Sequence, residues 1–552
     1  MTLHDSATRR RWSVRALLAL GALMLASSAI AAPWDTDWTL RAELTASDGA
    51  GGDYLGRAVS LDADTVVVGA AGSDVGGESQ GAAYVFVRSG DTWTQQAKLT
   101  APDGAAGDEF GFAAAISGDT IVVGARFAVI DGINGHGAAY VFVRSGETWV
   151  QQAKLAADDG AAYDEAGFSV AIDADTVLVG APFANASQGK AYVFARTGTD
   201  WAPQATLAAD DGAASDRFGL SLKVAGDTAI VGSPSAAIGA NGYQGAAYVF
   251  ARDAGAWSLE TKLTASDGAA FDEFGISVAL DADTAVVGAH YADVVFSGQG
   301  AAYAFVRDGG TWTEQGKLVA DDAFFGDEFG FSVAVSGDTA AVGSLFADAG
   351  GTENEGEAYI FSRADGAWSE AAKLFPDTAT MGGEFGIGVA IEGTTAVVGA
   401  ESAPVDGEFR GAAYVFSSAS ATPVPAADVS PGALSFSLAP GSSGAQTITI
   451  ANVGDAGSTL AFSIYEAADA SCGAPADAAW LQASPLDGSV DAGASQDVSV
   501  TADASALDDG DYAAWLCVST SDPAQAFVPV AVTLSVTGTN PDWIFADGFE
   551  SP

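Results

Sequence analysis

Seven copies of one unit of about 55 residues fill most of this chain, and a fixed period of that length restricts the fold to a stacked or circular repeat. The plainest marker is the run GAAYVF at Gly81–Phe86, Gly137–Phe142, Gly245–Phe250 and Gly411–Phe416, with close variants at Gly189–Phe194, Gly300–Phe305 and Gly356–Phe361. A second marker is a Trp six residues ahead of a Leu: Trp38–Leu44, Trp93–Leu99, Trp149–Leu155, Trp201–Leu207, Trp257–Leu263, Trp312–Leu318 and Trp368–Leu374. Both markers count to seven.

Each unit holds four short apolar runs, in the second unit Phe110–Ile116, Asp119–Ala125, Ala138–Arg144 and Trp149–Leu155. Val, Phe, Tyr, Ile and Trp dominate the runs, and Gly, Asp and Ser separate them, which is strand-and-turn chemistry. In AAYVF, Tyr and Phe point one way and Val the other, so both faces of the strand are apolar. Such a strand belongs in a sheet sandwiched between two others. Four strands of ordinary length with their turns use up one period. Radial stacking of four-stranded sheets predicts an all-β, seven-bladed β-propeller over residues 38–416. A β-helix needs a much shorter repeat. The chain enters the repeats on a Trp strand (Trp38–Leu44) and leaves on an AAYVF strand (Ala412–Phe416). Pairing the two closes the ring with the N-terminal strand and removes two sheet edges.

Five units begin their inner strand with Phe-Gly (Phe110-Gly111, Phe218-Gly219, Phe274-Gly275, Phe329-Gly330 and Phe385-Gly386). The second strand ends in Gly-Ala or Gly-Ser, twice followed by Pro, as at Gly180-Ala181-Pro182 and Gly232-Ser233-Pro234. The pattern resembles the FG-GAP repeat family, whose best-known members are the propellers of integrin α chains. The resemblance covers roughly Trp38 to Phe416 and implies a seven-bladed propeller working in extracellular recognition or adhesion. Two units depart from it at the Phe, with Leu55-Gly56 and Ala166-Gly167. Integrin-type blades also hold Ca²⁺ in an acidic loop between their first two strands. Here that connection is a short turn such as Ser117-Gly118-Asp119-Thr120 or Asp281-Ala282-Asp283-Thr284. So short a turn cannot supply the six to eight oxygens that calcium takes, and the family's calcium site does not carry over.

Carboxylates recur elsewhere, in the connections between blades. The pairs are Asp103 with Asp108, Asp159 with Asp164, Asp211 with Asp216, Asp267 with Asp272, and Asp322 with Asp327; blade 1 has Asp48 and Asp53, and blade 7 keeps Asp377 and Glu384. A ring of carboxylates can bind Ca²⁺ or a cationic partner. Against that, Asp-Gly makes turns and acids keep a surface soluble, and a repeated feature is what scaffold chemistry looks like. The longer connections between second and third strands (Arg126–His136, Pro234–Gln244, His290–Gln299, Leu345–Glu355) open on the same face. Long variable loops on a rigid scaffold are where binding usually sits.

The N-terminus predicts an export signal over residues 1–31: Arg9-Arg10-Arg11 and Arg15, an apolar stretch from Ala16 to Ala26, and a small-residue site at Ala29-Ile30-Ala31. The general secretory route is expected over a twin-arginine one. The formal net charge is −49, and removal of this segment, with four Arg and one Asp, leaves −52. Such a chain repels phosphate backbones and anionic lipid, which excludes nucleic acid as a partner. No other segment is long and apolar enough to span a bilayer. Beyond the signal only His136 and His290 remain, expected as exposed loop residues rather than metal ligands. No metalloprotease, hydrolase-elbow or phosphate-loop motif is present.

After a linker at 417–427, residues 428–537 carry alternating strands at Leu434–Leu438, Ala445–Ile450, Ala461–Ile464, Gln496–Val500, Tyr512–Val518 and Val528–Val536, at sandwich-like spacing. With Trp480-Leu481, Ser484-Pro485, Gly488 and Asp511-Tyr512, the segment resembles bacterial immunoglobulin-like modules, which implies a β-sandwich acting as a spacer. Cys472 and Cys517 are the only cysteines, and in an exported chain they are expected to form a disulfide. The tail, residues 538–552, resembles a short terminal segment of exported proteins of some Gram-negative bacteria. The sequence thus predicts a secreted or cell-surface, monomeric, non-catalytic protein that meets an extracellular protein or glycan. A polysaccharide-acting enzyme and a purely structural surface protein are the alternatives.

Overall fold

The computed structural model describes residues 38–348, 354–376, 382–418, 425–454, 458–473, 475–522 and 525–538. The expected export signal, Asp377, residues 419–424 of the linker and the tail beyond Gly538 lie outside the described residues. The chain forms two compact units.

The first unit is a ring of seven four-stranded antiparallel sheets, the expected propeller. Blade 2 shows the pattern: Phe110–Ser117, Thr120–Ala125, Ala138–Ser145 and Thr148–Leu155 pair in chain order. The strand starts and ends match the sequence expectation to within a residue. Every residue of the second strand, Thr-Ile-Val-Val-Gly-Ala, is buried, as are the first five of the third, Ala-Ala-Tyr-Val-Phe. These strands carry apolar groups on both faces because a neighbouring blade covers each face. The core is accordingly divided into layers between blades. Val67, Val85 and Leu99 of blade 1 pack with Phe110, Val123 and Tyr140 of blade 2, and each such side chain contributes about 1.5–3 kcal/mol on burial. In the seventh sheet the order is Trp38–Leu44, Ala412–Ser418, Thr395–Ala400, Phe385–Glu392. The N-terminal strand supplies the outer strand that the last repeat lacks.

Glycine sets the distance between blades. Gly69, Gly124, Gly180, Gly232, Gly288, Gly343 and Gly399, at the ends of the second strands, approach the glycine of the Phe-Gly pair in the next blade. A Cβ on any of them would fall 1.8–2.1 Å from that glycine's carbonyl oxygen. Gly399 meets Gly56 in this way, so the seventh blade closes on the first. The glycine of GAAYVF makes a second contact: Gly81 bridges Phe110 in parallel, Gly245 bridges Phe274, and Gly411 bridges Leu55.

The second unit has two sheets. One runs Ala427–Ser430, Ser443–Asn452, Ser495–Asp503, Leu481–Ser484; the other runs Ala433–Leu438, Phe527–Val536, Gly510–Thr520, Thr459–Ala467, Asp487–Asp491. They share one core, with Phe436, Ile450, Phe462, Val498, Leu516 and Val532 among its members. Ala433–Leu438 lies parallel to Phe527–Val536. Three strands escaped the sequence reading, at 427–430, 481–484 and 487–491; each offers one large aliphatic residue (Val429, Leu481, Val490), too little for an alternating pattern. Cys472 and Cys517 are disulfide-bonded with Cα atoms 5.8 Å apart.

Candidate functional site

The connections between first and second strands, and between third and fourth, are tight hairpins on one face of the ring. The other face carries the long loops and the blade-to-blade connections, and the candidate carboxylates among the described residues lie there.

Those carboxylates divide into two jobs. The first of each pair accepts from a Lys ammonium and a Tyr hydroxyl: Asp103 from Lys154 at 2.7 Å and Tyr140 at 3.0 Å, and Asp267 from Lys317 at 2.9 Å and Tyr303 at 2.8 Å. Asp48, Asp211 and Asp322 repeat this with Lys98 and Tyr84, Lys262 and Tyr248, and Lys373 and Tyr359. Blade 3 alters the wiring and keeps the result. Its fourth strand has Thr206 where five other blades have Lys, and its third strand has Lys190 where most have Ala; Lys190 and Tyr192 hold Asp159. The second carboxylate accepts a backbone N–H from three residues earlier: Asp108 from Ala105, Asp164 from Ala161, Asp216 from Ala213, Asp272 from Ala269 and Asp327 from Phe324. The electrostatics separate the two. Burial works to raise the pKa of Asp103, but Lys154 and Tyr140 outweigh it and hold it low. Burial of Asp108 prevails over its backbone hydrogen bond and raises its pKa. Among the described residues, no group of three or more His, Cys, Asp or Glu side chains is placed to hold a metal ion.

The hairpin face carries a second repeated device, which the sequence reading missed. Arg144 pairs with Asp119 of its own hairpin, donates to Thr65 of the preceding blade at 2.7 Å and lies 4.5 Å over Trp149. Arg196, Arg252, Arg307 and Arg363 do the same with Asp175, Asp227, Asp283 and Asp338. An Arg two residues after the Phe of AAYVF, in six copies, was the available signal.

Symmetry breaks at the inner rim of the long-loop face. The residue just before the Phe-Gly pair is left-handed in every blade: Tyr54, Glu109, Glu165, Arg217, Glu273, Glu328 and Glu384. Two clusters form among these. In one, Arg126 pairs with Glu109 at 2.7 Å and Glu165 at 3.7 Å, and Arg57 with Glu401 at 3.0 Å; both guanidinium groups lie over Phe112, at 3.8 Å and 4.4 Å from its centroid. Burial raises the pKa of Glu165 and of Glu401 despite these cations. In the other, His290 lies between Glu273 (3.2 Å) and Glu328 (3.4 Å) and stacks on Tyr291. Burial would lower the His290 pKa, but the two carboxylates outweigh it and raise it. The expectation of exposed histidines is corrected here: His136 is 3 % and His290 4 % exposed. His136 packs so closely on the next blade-to-blade connection that a Cβ on Gly160 would lie 2.2 Å from its Nε2, and its Nδ1 lies 3.0 Å from the Gly137 carbonyl oxygen.

Further out, the same face is aromatic. Tyr54, Tyr163, Tyr243, Phe271, Tyr291, Phe296, Phe324, Phe325, Phe375 and Phe409 are exposed, and all belong to long loops or blade-to-blade connections. They concentrate over blades 4 to 6. There Tyr243 stacks on Phe271 at 5.7 Å, Phe296 packs on Phe324 at 5.0 Å, and Phe325 is 67 % exposed. The four segments that bear them (234–244, 264–273, 290–299 and 319–328) contain no Lys or Arg. Four of the exposed aromatics, Tyr54, Tyr163, Tyr243 and Phe271, sit against backbone preference. The residue three positions before the Phe-Gly pair, or its variant, is left-handed in every unit; it is Gly52, Gly107, Gly326 or Gly382 in four of them and Tyr163, Ser215 or Phe271 in the rest. Tyr163 and Phe271 are 61 % and 65 % exposed, so burial does not offset a cost of about 1–2 kcal/mol each.

The family model described as FG-GAP repeat matches seven times, at residues 38–86, 93–142, 149–194, 201–250, 257–305, 312–361 and 368–416. The chain belongs to the FG-GAP repeat family. FG-GAP propellers serve in general for protein or ligand binding and are not enzymes as a class. Among solved structures, the ASH/PapD-like domain of human CEP192 is 17% identical over 20% of this chain and 85% of that one, with a TM-score of 0.17. A Bacteroides ovatus GH5 xyloglucanase in complex with a XXXG heptasaccharide is 18% identical over 20% of this chain and 19% of that one, with a TM-score of 0.15. Neither likeness carries an argument at those TM-scores. No curated protein matches. No helix among the described residues is long and apolar enough to cross a membrane.

Proposed function

We propose that this FG-GAP protein is exported, works outside or at the surface of a Gram-negative cell, and recognises an extracellular protein or glycan without catalysis, as a monomer. The observation that carries the reading is the exposed aromatic patch over blades 4 to 6. Phe271 there keeps a left-handed backbone that glycine fills in other blades. Exposed aromatics with no fold-stabilising return are a hallmark of binding surfaces, and strain kept against stability clusters at functional sites. The repeated carboxylates act as clamps on the blade connections rather than as a calcium ring. The rewired clamp of blade 3 supports this, since it preserves the Asp–Lys–Tyr contact when the Lys moves. The C-terminal unit serves as an immunoglobulin-like spacer. Capture of ligands on protein and glycan arrays by the full chain, compared with Phe271→Ala/Phe325→Ala, tests the reading. Ligands held by the parent and lost by the double variant are expected; identical capture by both would sink it.

A further inference from the structure

A separate cavity of about 260 Å³ opens at the inner rim, between the seventh blade and the second, lined by Tyr54, Arg57, Ser79, Phe112, Arg126 and Glu401, with Glu109 beside them. Its residues come from places where the repeat is broken. Arg57 stands where other blades carry Phe112, Phe168, Leu220, Ile276, Phe331 and Ile387, and Glu401 follows Gly-Ala where blades 3 and 4 have Pro. Gly72 leaves room for the Tyr54 ring: a Cβ there would come 2.7 Å from Tyr54 Cδ2.

The polar groups select the ligand. Glu109 and Glu165 pair with Arg126, Glu401 pairs with Arg57, and Glu384 lies against Glu401, so both cations of the site already have anionic partners and a charged ligand would have to displace one. An anion would meet those carboxylates and the field of a chain with net charge −49. A cation would meet two arginines. Each guanidinium carries five N–H groups in a fixed fork, and the hydrogen bonds to carboxylates use one N–H of Arg57 and one of Arg126. Both donors and acceptors therefore line the cavity. Phe112 is covered by the two cations, while Tyr54 presents an exposed ring at the mouth. An amphipathic wall that offers both donors and acceptors suits a ring that is apolar on one face and hydroxylated at its edge. The volume lies just below the range of about 300–1,000 Å³ common for small-molecule sites, enough for one ring.

We infer that this cavity binds one neutral monosaccharide residue, free or at the non-reducing end of a glycan, with the sugar ring on Tyr54 and its hydroxyls on Arg57, Arg126 and Glu401. The site is distinct from the aromatic patch of blades 4 to 6, and either can fail without the other.

Calorimetric titration of the full chain with glucose, galactose and mannose tests it, with glucuronic acid and glucosamine as charged counterparts. At least one neutral sugar is expected to bind in the millimolar range or tighter, and both charged analogues more weakly. Tyr54→Ala should weaken binding on the order of tenfold or more with an unchanged thermal midpoint. Arg57→Gln should weaken it as well; because that change also unpairs Glu401, Tyr54→Ala is the deciding variant. A glycan array competed with the free sugar separates a terminal residue from a free one. Three results would each overturn the inference: no heat with any neutral sugar, charged analogues that bind as well as neutral ones, or binding that survives Tyr54→Ala.

Discussion

The two faces of the propeller obey opposite rules. On the hairpin face, blade after blade repeats the same Arg, Asp, Thr and Trp contacts. On the long-loop face, a repeated layer of Asp–Lys–Tyr clamps underlies residues that differ from blade to blade. Arg57, Arg126 and His290 differ at the rim, and Tyr243, Phe271 and Phe325 differ further out. The contrast separates what the fold requires from what it merely tolerates. A contact that recurs in six or seven copies stabilises every blade alike, and a residue present in one copy is there for something other than the fold.

The largest effect is expected where the repeat is strictest. Gly111→Ala would place a Cβ 2.1 Å from the Ala82 carbonyl oxygen on a backbone with φ +95°. Destabilisation of more than about 3 kcal/mol is expected, read as a collapse of the denaturation midpoint. A mild effect there would show that the interface between blades is looser than its glycines imply.

Clamp removal should cost less. Asp103→Ala is expected to lower stability by about 1–2 kcal/mol, since it loses one half-exposed ion pair and one hydroxyl hydrogen bond, and to leave ligand capture intact. Blade 3 sharpens the test: Lys190→Ala should cost a similar amount, and adding Thr206→Lys should restore it. Calcium, magnesium and chelator should give the same midpoint at fixed ionic strength. A rise specific to Ca²⁺ would instead make the carboxylates a cation site.

His290 gives a smaller, pH-dependent effect. Its folded pKa is raised above the unfolded value near 6.5, so its contribution is full below that unfolded value and fades as pH rises through the folded one. The difference in midpoint between the parent and His290→Gln should therefore be larger at pH 5.5 than at pH 9. An equal difference at both would show that the histidine packs without charge.

Phe271→Gly should be more stable than Phe271→Ala by about 1 kcal/mol, because glycine accepts φ +74°. Ligand capture should fall in both variants.

Much of this fold was legible because the repeat states it seven times. The strands of the repeats, the ring closure through Trp38–Leu44 and the disulfide follow from spacing and composition. The site was less legible, for physical reasons. Arg57 and Glu401 pair across 344 residues, and only the closed ring brings them together. The sequence marked Asp103 and its equivalents as acidic, but not as clamped, because their Lys and Tyr partners lie on strands some 31–51 residues away. His136 and His290 look like loop residues in the sequence, and their burial comes from contacts with other segments: Gly160 on His136, and Glu273, Glu328 and Phe331 around His290. The aromatics at Phe271 and Phe324-Phe325 were visible as letters. Their exposure was not, since aromatic residues fill the core of the same units.

The most direct test of the central claim compares two variants for stability and capture together. Phe271→Ala/Phe325→Ala alters the blade-specific surface, and Asp103→Asn/Asp267→Asn alters the repeated clamps. Thermal melts and array binding of both, alongside the parent, should dissociate: the aromatic pair loses ligand at an unchanged midpoint, and the clamp pair keeps ligand at a lowered midpoint. The reverse pattern, with ligand lost through the clamps and kept without the aromatics, would contradict the account.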